Sequence, residues 1–154
     1  MDANGIKIFF EGKIAKVKEF AESQEAAYMV GNTAVNFFKK GFINEGFTNN
    51  GLHKWKEVKR RQNPKIKGAA ASRKILTGKT GDLGRSIKFK NAGKGTIIIL
   101  GDSPYAAVHN EGLKAGRGKG FIMPKRQFIG ESEELNKEID NKLNLKITKI
   151  LDEK

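Results

Sequence analysis

The sequence contains no cysteine. Disulfide bonds and thiolate chemistry are therefore excluded for this chain, and the absence fits a reducing cytosol. Histidine is also scarce, because only His53 and His109 occur and they lie far apart in the sequence. A zinc site would then need carboxylate ligands, and no ligand spacing of that kind is present. We therefore expect neither a metal nor a cofactor.

Long apolar runs are missing as well. No stretch of about 18 consecutive apolar residues occurs, so we expect no membrane span. The first residues, MDANGIKIFFEGK, carry an acid at Asp2 and only a short apolar stretch, which differs from a secretory signal peptide. The length of 154 residues predicts one domain over residues 1–154, long enough to bury a hydrophobic core.

Positive charge, by contrast, is abundant. The chain carries 30 Lys and Arg against 17 Asp and Glu, a net charge of +13, so an anionic partner must be considered. Residues 54–74, the basic segment, hold nine basic residues and a single acid, Glu57. Seven side chains there are candidates to face an anion or DNA: Lys54, Lys56, Lys59, Arg60, Arg61, Lys65 and Lys67.

The basic segment lacks the aromatic residues that single-strand binders use as stacking platforms. After Trp55 no aromatic residue follows until Phe89. We therefore interpret residues 54–74 as a solvated, mobile loop, and we keep a basic nucleic-acid-binding module as the alternative function.

Apolar spacing predicts helices at both ends of the chain. Alternation of Ile6, Ile8 and Phe10 first predicts a short strand. Apolar residues at helical spacing then predict a short helix and a longer one that ends near Gly41 or Gly46, where glycine can adopt the left-handed conformation. The positions are Ile14, Val17, Ala21, Tyr28, Val35, Phe38 and Phe42. A final amphipathic helix is predicted from Glu131 to Leu151, lined by Leu135, Ile139, Leu143, Ile147 and Ile150.

Between these helices the pattern favours strands and turns. Residues 84–102 predict a β-hairpin with NAGKG as its turn. Its return strand is apolar on both faces at 97–100, so we expect both faces to be covered, by the core or by a partner subunit. NNG predicts a turn, GAAASRKIL a helical turn and SPYAAVHNEG a short helix, while residues 113–120 predict a flexible Gly/Lys loop. FIMPKRQFIG predicts an extended edge segment around Pro124.

Together these elements predict an α+β fold. A small, mainly antiparallel β-sheet packs against a long N-terminal helix and a C-terminal amphipathic helix.

Two catalytic or nucleotide-binding motifs can be tested on spacing. ILTGKTGDLGRSI contains Gly-Lys-Thr, but a phosphate-binding loop needs a glycine where Arg73 stands, and a strand pattern follows instead of a helix. Nucleotide binding is therefore excluded. Asp102, Ser103 and His109 are near in sequence without a GxSxG elbow, so a small enzyme stays open only to a geometric test. We expect His109 to be partly buried and hydrogen-bonded to backbone, and Trp55 to anchor the core or its edge.

The informative feature is a series of motifs in a fixed order. The first, Ile-Leu followed by Thr-Gly-x-Leu-x-x-Ser-Ile, is formed by Ile75, Leu76, Thr80, Gly81, Leu83, Ser86 and Ile87. Tyr105, Ala106, His109 and Gly112 form the second, and Pro124, Arg126, Phe128 and Gly130 the third. An acidic helix start follows at Ser132, Glu133 and Glu134. This series resembles the phage virion morphogenesis family, the tail completion and head–tail joining proteins of Mu-like phages and prophages.

The resemblance implies a structural protein and not an enzyme. It would join heads to tails by oligomeric assembly, with itself, the head connector and the tail tube proteins as partners and with non-specific DNA contact at most. Its place would be the virion neck or tail, and the bacterial host cytoplasm during assembly. The resemblance assigns structural or interface roles to eleven motif residues: Trp55, Gly81, Leu83, Ser86, Ile87, Tyr105, His109, Gly112, Pro124, Arg126 and Phe128.

Overall fold

The computed structural model describes residues 15–153, in which two long helices flank three short hairpins. The first part comprises α1 (15–21), α2 (Gln24–Asn44), β1 (Gly46–Thr48), β2 (Leu52–Lys54), α3 (Lys59–Gln62) and α4 (Ala69–Ser72). The second part comprises α5 (Asp82–Arg85), β3 (Ile87–Gly93), β4 (Thr96–Gly101), α6 (Ala106–Glu111), β5 (Lys114–Ala115), β6 (Phe121–Ile122) and α7 (Glu133–Asp152). The predicted strand around Ile6 lies outside the described residues.

Helix α2 is the central element of the core. Its first turn is capped by Ser23, whose Oγ accepts a hydrogen bond from the Ala26 N–H at 3.2 Å. Its buried face carries Phe38 and Phe42, as the apolar spacing predicts. Gly31 lets the hairpin approach closely, since a Cβ there would lie 2.4 Å from the Phe89 ring.

The end of α2 differs from its prediction. The helix ends at Asn44, close to the expected place. The residue that ends it in the left-handed conformation is Glu45 (φ 55°) and not a glycine. Gly41 lies inside the helix, where a Cβ would come within 2.7 Å of a backbone oxygen of β1. Glu45 is held in this conformation by its carboxylate, which accepts hydrogen bonds from the Arg61 guanidinium and from the Ile75 N–H. Long-range contacts thus override the local preference for glycine.

The strands form three separate antiparallel hairpins, β1–β2, β3–β4 and β5–β6. The α+β prediction is confirmed, with small antiparallel sheets packed against α2 and α7. The predicted hairpin is β3–β4, in which Phe89 lies opposite Ile99. The pair β5–β6 was not predicted, because strands of two residues in a Gly- and Lys-rich stretch show no alternation. Ile98 of β4 is 49% exposed, so residues 15–153 leave that face partly uncovered.

The core joins α2 to residues from distant parts of the chain. Phe42 contacts the rings of Trp55 and Phe128, with centroids 5.4 and 5.3 Å apart. The Trp55 Nε1–H donates to the Gln127 carbonyl at 2.7 Å, which ties the end of β1–β2 to the segment before α7. Trp55 is therefore a core anchor, as predicted.

Helix α7 starts where the sequence predicts and also fastens the first hairpin. Ser132 Oγ accepts from the Leu135 N–H, and Leu135 is buried. The Glu134 carboxylate accepts from the turn amides of Asn50 and Gly51 at 3.0 and 2.8 Å. These hydrogen bonds hold the pKa of Glu134 below its usual value. The β1–β2 turn is thus docked on the first turn of α7.

The basic segment is folded around the C-terminal end of α2. Its middle forms α3 and α4, the latter where GAAASRKIL predicts a helical turn. Lys54 Nζ donates to the Asn44 carbonyl at 2.6 Å, and Lys74 Nζ donates to the Ile43 carbonyl at 2.5 Å. Helix α2 has no basic residue in its own last turn, so these lysines supply the positive charge that a helix C-terminus favours. The mobility of this segment stays a prediction.

Among residues 15–153, no helix is both long and apolar enough to cross a membrane. In the same part of the chain, no cluster of three or more His, Asp or Glu side chains could hold a metal ion.

Candidate functional site

A cavity of about 850 Å³ opens between the basic segment, α5, the start of β3 and α6. Five of the eleven motif residues line it, namely Leu83, Ser86, Tyr105, His109 and Arg126. We call it the motif cavity. The folded chain therefore brings together residues from three motifs that are separated by up to about 40 positions in the sequence.

One wall of the motif cavity is the turn that leads into β3. Gly81 begins α5 in the left-handed conformation (φ 72°), and its N–H donates to the Thr77 carbonyl at 2.7 Å. Ser86 closes the turn by donating from Oγ to the Leu83 carbonyl at 2.7 Å. Gly78, of the Gly-Lys-Thr stretch, lies on the rim of the cavity, and only the single turn of α5 follows before β3. This geometry agrees with the exclusion of a phosphate-binding loop.

The opposite wall is α6 and the extended segment after β6. Gly112 ends α6 with φ 72°, where an added Cβ would lie 3.0 Å from the Lys125 backbone nitrogen. The His109 carbonyl accepts from the Arg126 N–H at 2.8 Å. Asn110 Oδ1 accepts from the N–H groups of Phe128 and Ile129, at 2.8 and 2.9 Å. Helix α6 thereby fixes the segment that carries Arg126.

Asn110 is a residue that the motif comparison missed, because it occupies an unspecified position of the second motif. The available signal was an amide side chain in a short helix, a type of residue that can bond to backbone groups of a neighbouring segment.

His109 differs from its prediction in one respect. It is half-buried, but its Nδ1 is buried and makes no hydrogen bond among the described residues. The neighbouring Asn110, rather than His109, makes the side-chain bonds to backbone. Burial, and then the positive charge of Arg126, hold the pKa of His109 below its usual value. Both effects favour the neutral form of the ring.

The arrangement does not form a serine-hydrolase triad. The Asp102 carboxylate is paired with Lys88 Nζ at 2.8 Å. Ser103 Oγ accepts from the Tyr105 N–H at 3.3 Å. In the described part of the chain neither side chain is hydrogen-bonded to His109, so the base and nucleophile that such chemistry needs are not connected.

The motif cavity is strongly cationic. Five basic residues line it, against two acids, and both acids are already paired: Asp82 with Arg85 at 2.6 Å, and Asp102 with Lys88. Hydrogen bonds from Thr80 and then from Arg85 hold the pKa of Asp82 below its usual value. The bond from Lys88 does the same for the pKa of Asp102. The three remaining cations are Arg60, Arg73 and Arg126.

The other motif residues lie outside the cavity. Trp55, Ile87 and Phe128 are buried in the core. Gly81 and Gly112 shape the backbone, and Pro124 is half-buried in the segment between β6 and α7.

The seven anion candidates divide into two groups. Lys54, Arg60 and Arg61 are engaged within the chain, with Arg60 donating to the carbonyls of Ala70 and Arg73. The side chains of the other four are exposed and make no hydrogen bond or ion pair among residues 15–153: Lys56, Lys59, Lys65 and Lys67. Only this second group is free to meet an anion.

Comparison with known families shows to which family the chain belongs. The sequence model of the phage virion morphogenesis family matches residues 45–147. The chain belongs to the phage virion morphogenesis family. The matched range holds the whole motif cavity and all eleven motif residues, and it confirms the family that the motif order indicates. This is a structural family of bacteriophages, consistent with a protein that is not an enzyme. No match to a curated protein or to a solved structure was found.

Proposed function

We propose that this virion morphogenesis protein completes the tail and joins it to the head. Copies of the chain assemble at the virion neck, after folding in the host cytoplasm, and contact the head connector and the tail tube proteins. Membership of the family over residues 45–147 is the observation that carries this proposal.

The surface of the single chain supports assembly with other chains. Each described strand has one partner and, among residues 15–153, its other edge is unpaired. Large apolar side chains are also exposed, among them Ile98, Phe121, Ile122 and Leu145. Strand edges and apolar side chains that meet head to tail close into a ring when the rotation per subunit allows it.

The test is electron microscopy of lysates from the parent phage or prophage with this gene deleted. We expect filled heads and tails of finished length lying apart, and restored particles when the wild-type gene is supplied in trans. Intact, joined particles from the deletion strain would refute the joining role.

The four free lysines of the basic segment favour a second candidate, a nucleic-acid-binding module. Affinity for duplex DNA would then fall with salt, with a log–log slope of about −0.9 per neutralised phosphate. One variant changes Lys56, Lys59, Lys65 and Lys67 to glutamine. A matched control changes four exposed lysines elsewhere to glutamine: Lys16, Lys18, Lys40 and Lys137.

The two variants carry the same net charge, so they separate a DNA site from general attraction. For a joining protein we expect weak DNA binding, measured by fluorescence anisotropy, that both variants reduce equally. A selective loss in the basic-segment variant, with a smaller salt slope, would support the DNA-binding module.

A further inference from the structure

Arg126 is a buried cation on which the Glu57 carboxylate acts only from a distance, without forming an ion pair. Its side chain and backbone together are only 6% exposed. Nε donates to the Lys56 carbonyl at 3.0 Å, and this is the side chain's only hydrogen bond among the described residues. No carboxylate lies within 4 Å of its guanidinium in that part of the chain. Because a buried charge is costly unless it is paired, a carboxylate that enters the cavity would stabilise Arg126.

The surroundings of Arg126 also favour the binding of an anion. Arg73 lines the cavity and its side chain makes no hydrogen bond or ion pair among residues 15–153. Both acids of the cavity are neutralised by their own partners, which leaves an uncompensated charge of three cations. Apolar side chains, including Leu76, Leu83 and Pro104, form the rest of the lining.

We propose that the motif cavity binds an aspartate or glutamate side chain on an extended segment of another protein. The planar guanidinium of Arg126 matches a carboxylate in a two-bond fork, and the apolar lining accommodates the flanking side chains of the segment. This docking site goes beyond the assembly role proposed above, because it names a contact between Arg126 and an acidic side chain of another protein.

Charge and shape favour this occupant over two others. Duplex DNA presents its phosphates on a convex surface, which fits a recessed arginine poorly. A second copy of this chain, with a net charge of +13, is disfavoured at this cationic cavity even where copies assemble through strand edges, whereas an acidic segment is attracted.

The probe is a capped peptide, acetyl-Gly-Leu-Glu-Leu-Gly-amide, titrated into the isotope-labelled full chain and followed by NMR. A peptide with glutamine in place of glutamate is the matched control. We expect shift changes confined to the cavity walls, at 76–86 and 103–109 and at Arg126 Nε–H, and affinity at least about tenfold weaker for the glutamine peptide.

His109 provides an independent readout. A carboxylate beside Arg126 offsets the positive charge that lowers the pKa of His109, so the ring should titrate at higher pH in the complex. A merely structural role for Arg126 would not produce this shift. No ring shift on peptide binding would contradict the proposed contact.

Variants then localise the contact. Arg126→Lys keeps the charge but loses the fork, and Arg73→Gln removes the second uncompensated cation; we expect weaker binding for each. Lys125→Gln alters an exposed neighbour and should leave the affinity unchanged. If Arg126→Lys fails to fold, the titrations of the wild-type chain with the two peptides still test the proposal.

Three results would overturn the inference: no shifts at millimolar peptide, equal binding of the glutamine peptide, or cavity shifts produced by an octathymidine oligonucleotide and not by the peptide. Peptide binding is measured on the isolated protein and head–tail joining on particles. Failure of one therefore does not imply failure of the other.

Discussion

Replacing Glu45 tests whether a carboxylate, rather than a glycine, closes the central helix. Its oxygens accept from the Ile75 N–H at 2.8 Å and from both Nη atoms of Arg61, one of them at 3.0 Å. Both side chains of the pair are about one-fifth exposed. Leaving the Ile75 N–H without an acceptor costs about 1–3 kcal/mol, and loss of the ion pair adds about 1 kcal/mol.

We therefore expect Glu45→Ala to lower the free energy of unfolding by about 3 kcal/mol. For a chain of this length that corresponds to a fall in Tm of roughly 6–12 °C. Glu45→Gln keeps an acceptor for the Ile75 amide and should cost about 1 kcal/mol. Glu45→Gly loses the same bonds as alanine but relieves the left-handed backbone, and should be about 1 kcal/mol more stable than alanine.

Urea unfolding monitored by circular dichroism measures this series, with Glu57→Ala as control. Glu57 contacts the same arginine at 3.5 Å but is nearly half exposed, so its loss should cost about 0.5 kcal/mol or less. Equal effects for the two alanine variants, or an alanine variant as stable as the glycine variant, would refute the reasoning.

The same series has a predicted pH dependence. The hydrogen bonds from Arg61, then that from Ile75, hold the pKa of Glu45 below its unfolded value near 4.5. A lowered folded-state pKa means that the stabilisation is fully present above the unfolded pKa and is lost as pH falls through the folded one. The difference in the free energy of unfolding between wild type and Glu45→Ala should therefore be constant from pH 7 to about 5 and should become smaller below pH 5.

Three other predictions follow from single contacts. Asn110→Ala leaves two buried amides without an acceptor and should cost about 2–3 kcal/mol in urea unfolding, whereas Asn110→Asp keeps both acceptors and should cost less. Gly31→Ala should destabilise by about 1 kcal/mol despite its better helix propensity, because its Cβ overlaps the Phe89 ring, while Gly84→Ala has ordinary contacts and should stay within about 0.5 kcal/mol. Glu134→Gln should speed hydrogen exchange of the two turn amides it binds; unchanged exchange would show that the carboxylate does not hold that turn.

Sequence reasoning succeeded where the signal is periodic. Helix α2 buries one stripe of apolar residues. Helix α7 buries Leu135 and half-buries the rest of its predicted stripe, and the β3–β4 hairpin forms around a recognisable turn. Such patterns depend on local chain geometry, so they are readable without a fold. The order of the motifs likewise identified the family.

The remaining features depend on partners that lie far away in the sequence. The left-handed Glu45 follows from Arg61 and Ile75, 16 and 30 positions further on. FIMPKRQFIG predicts an extended edge segment, and nothing local indicates that Arg126 is buried. Its position follows from α6, which binds the backbone of 126–129.

The unpaired strand edges have a consequence for when assembly occurs. Within residues 15–153 every strand has one unpaired edge, yet each copy carries thirteen excess positive charges that repel other copies at low ionic strength. Raising the salt shortens the reach of that repulsion from about 10 Å at 0.1 M to about 3 Å at 1 M. In the assembly that we propose, charge would keep subunits apart until an acidic surface neutralises them, and that surface would set both the place and the moment at which the strand edges meet.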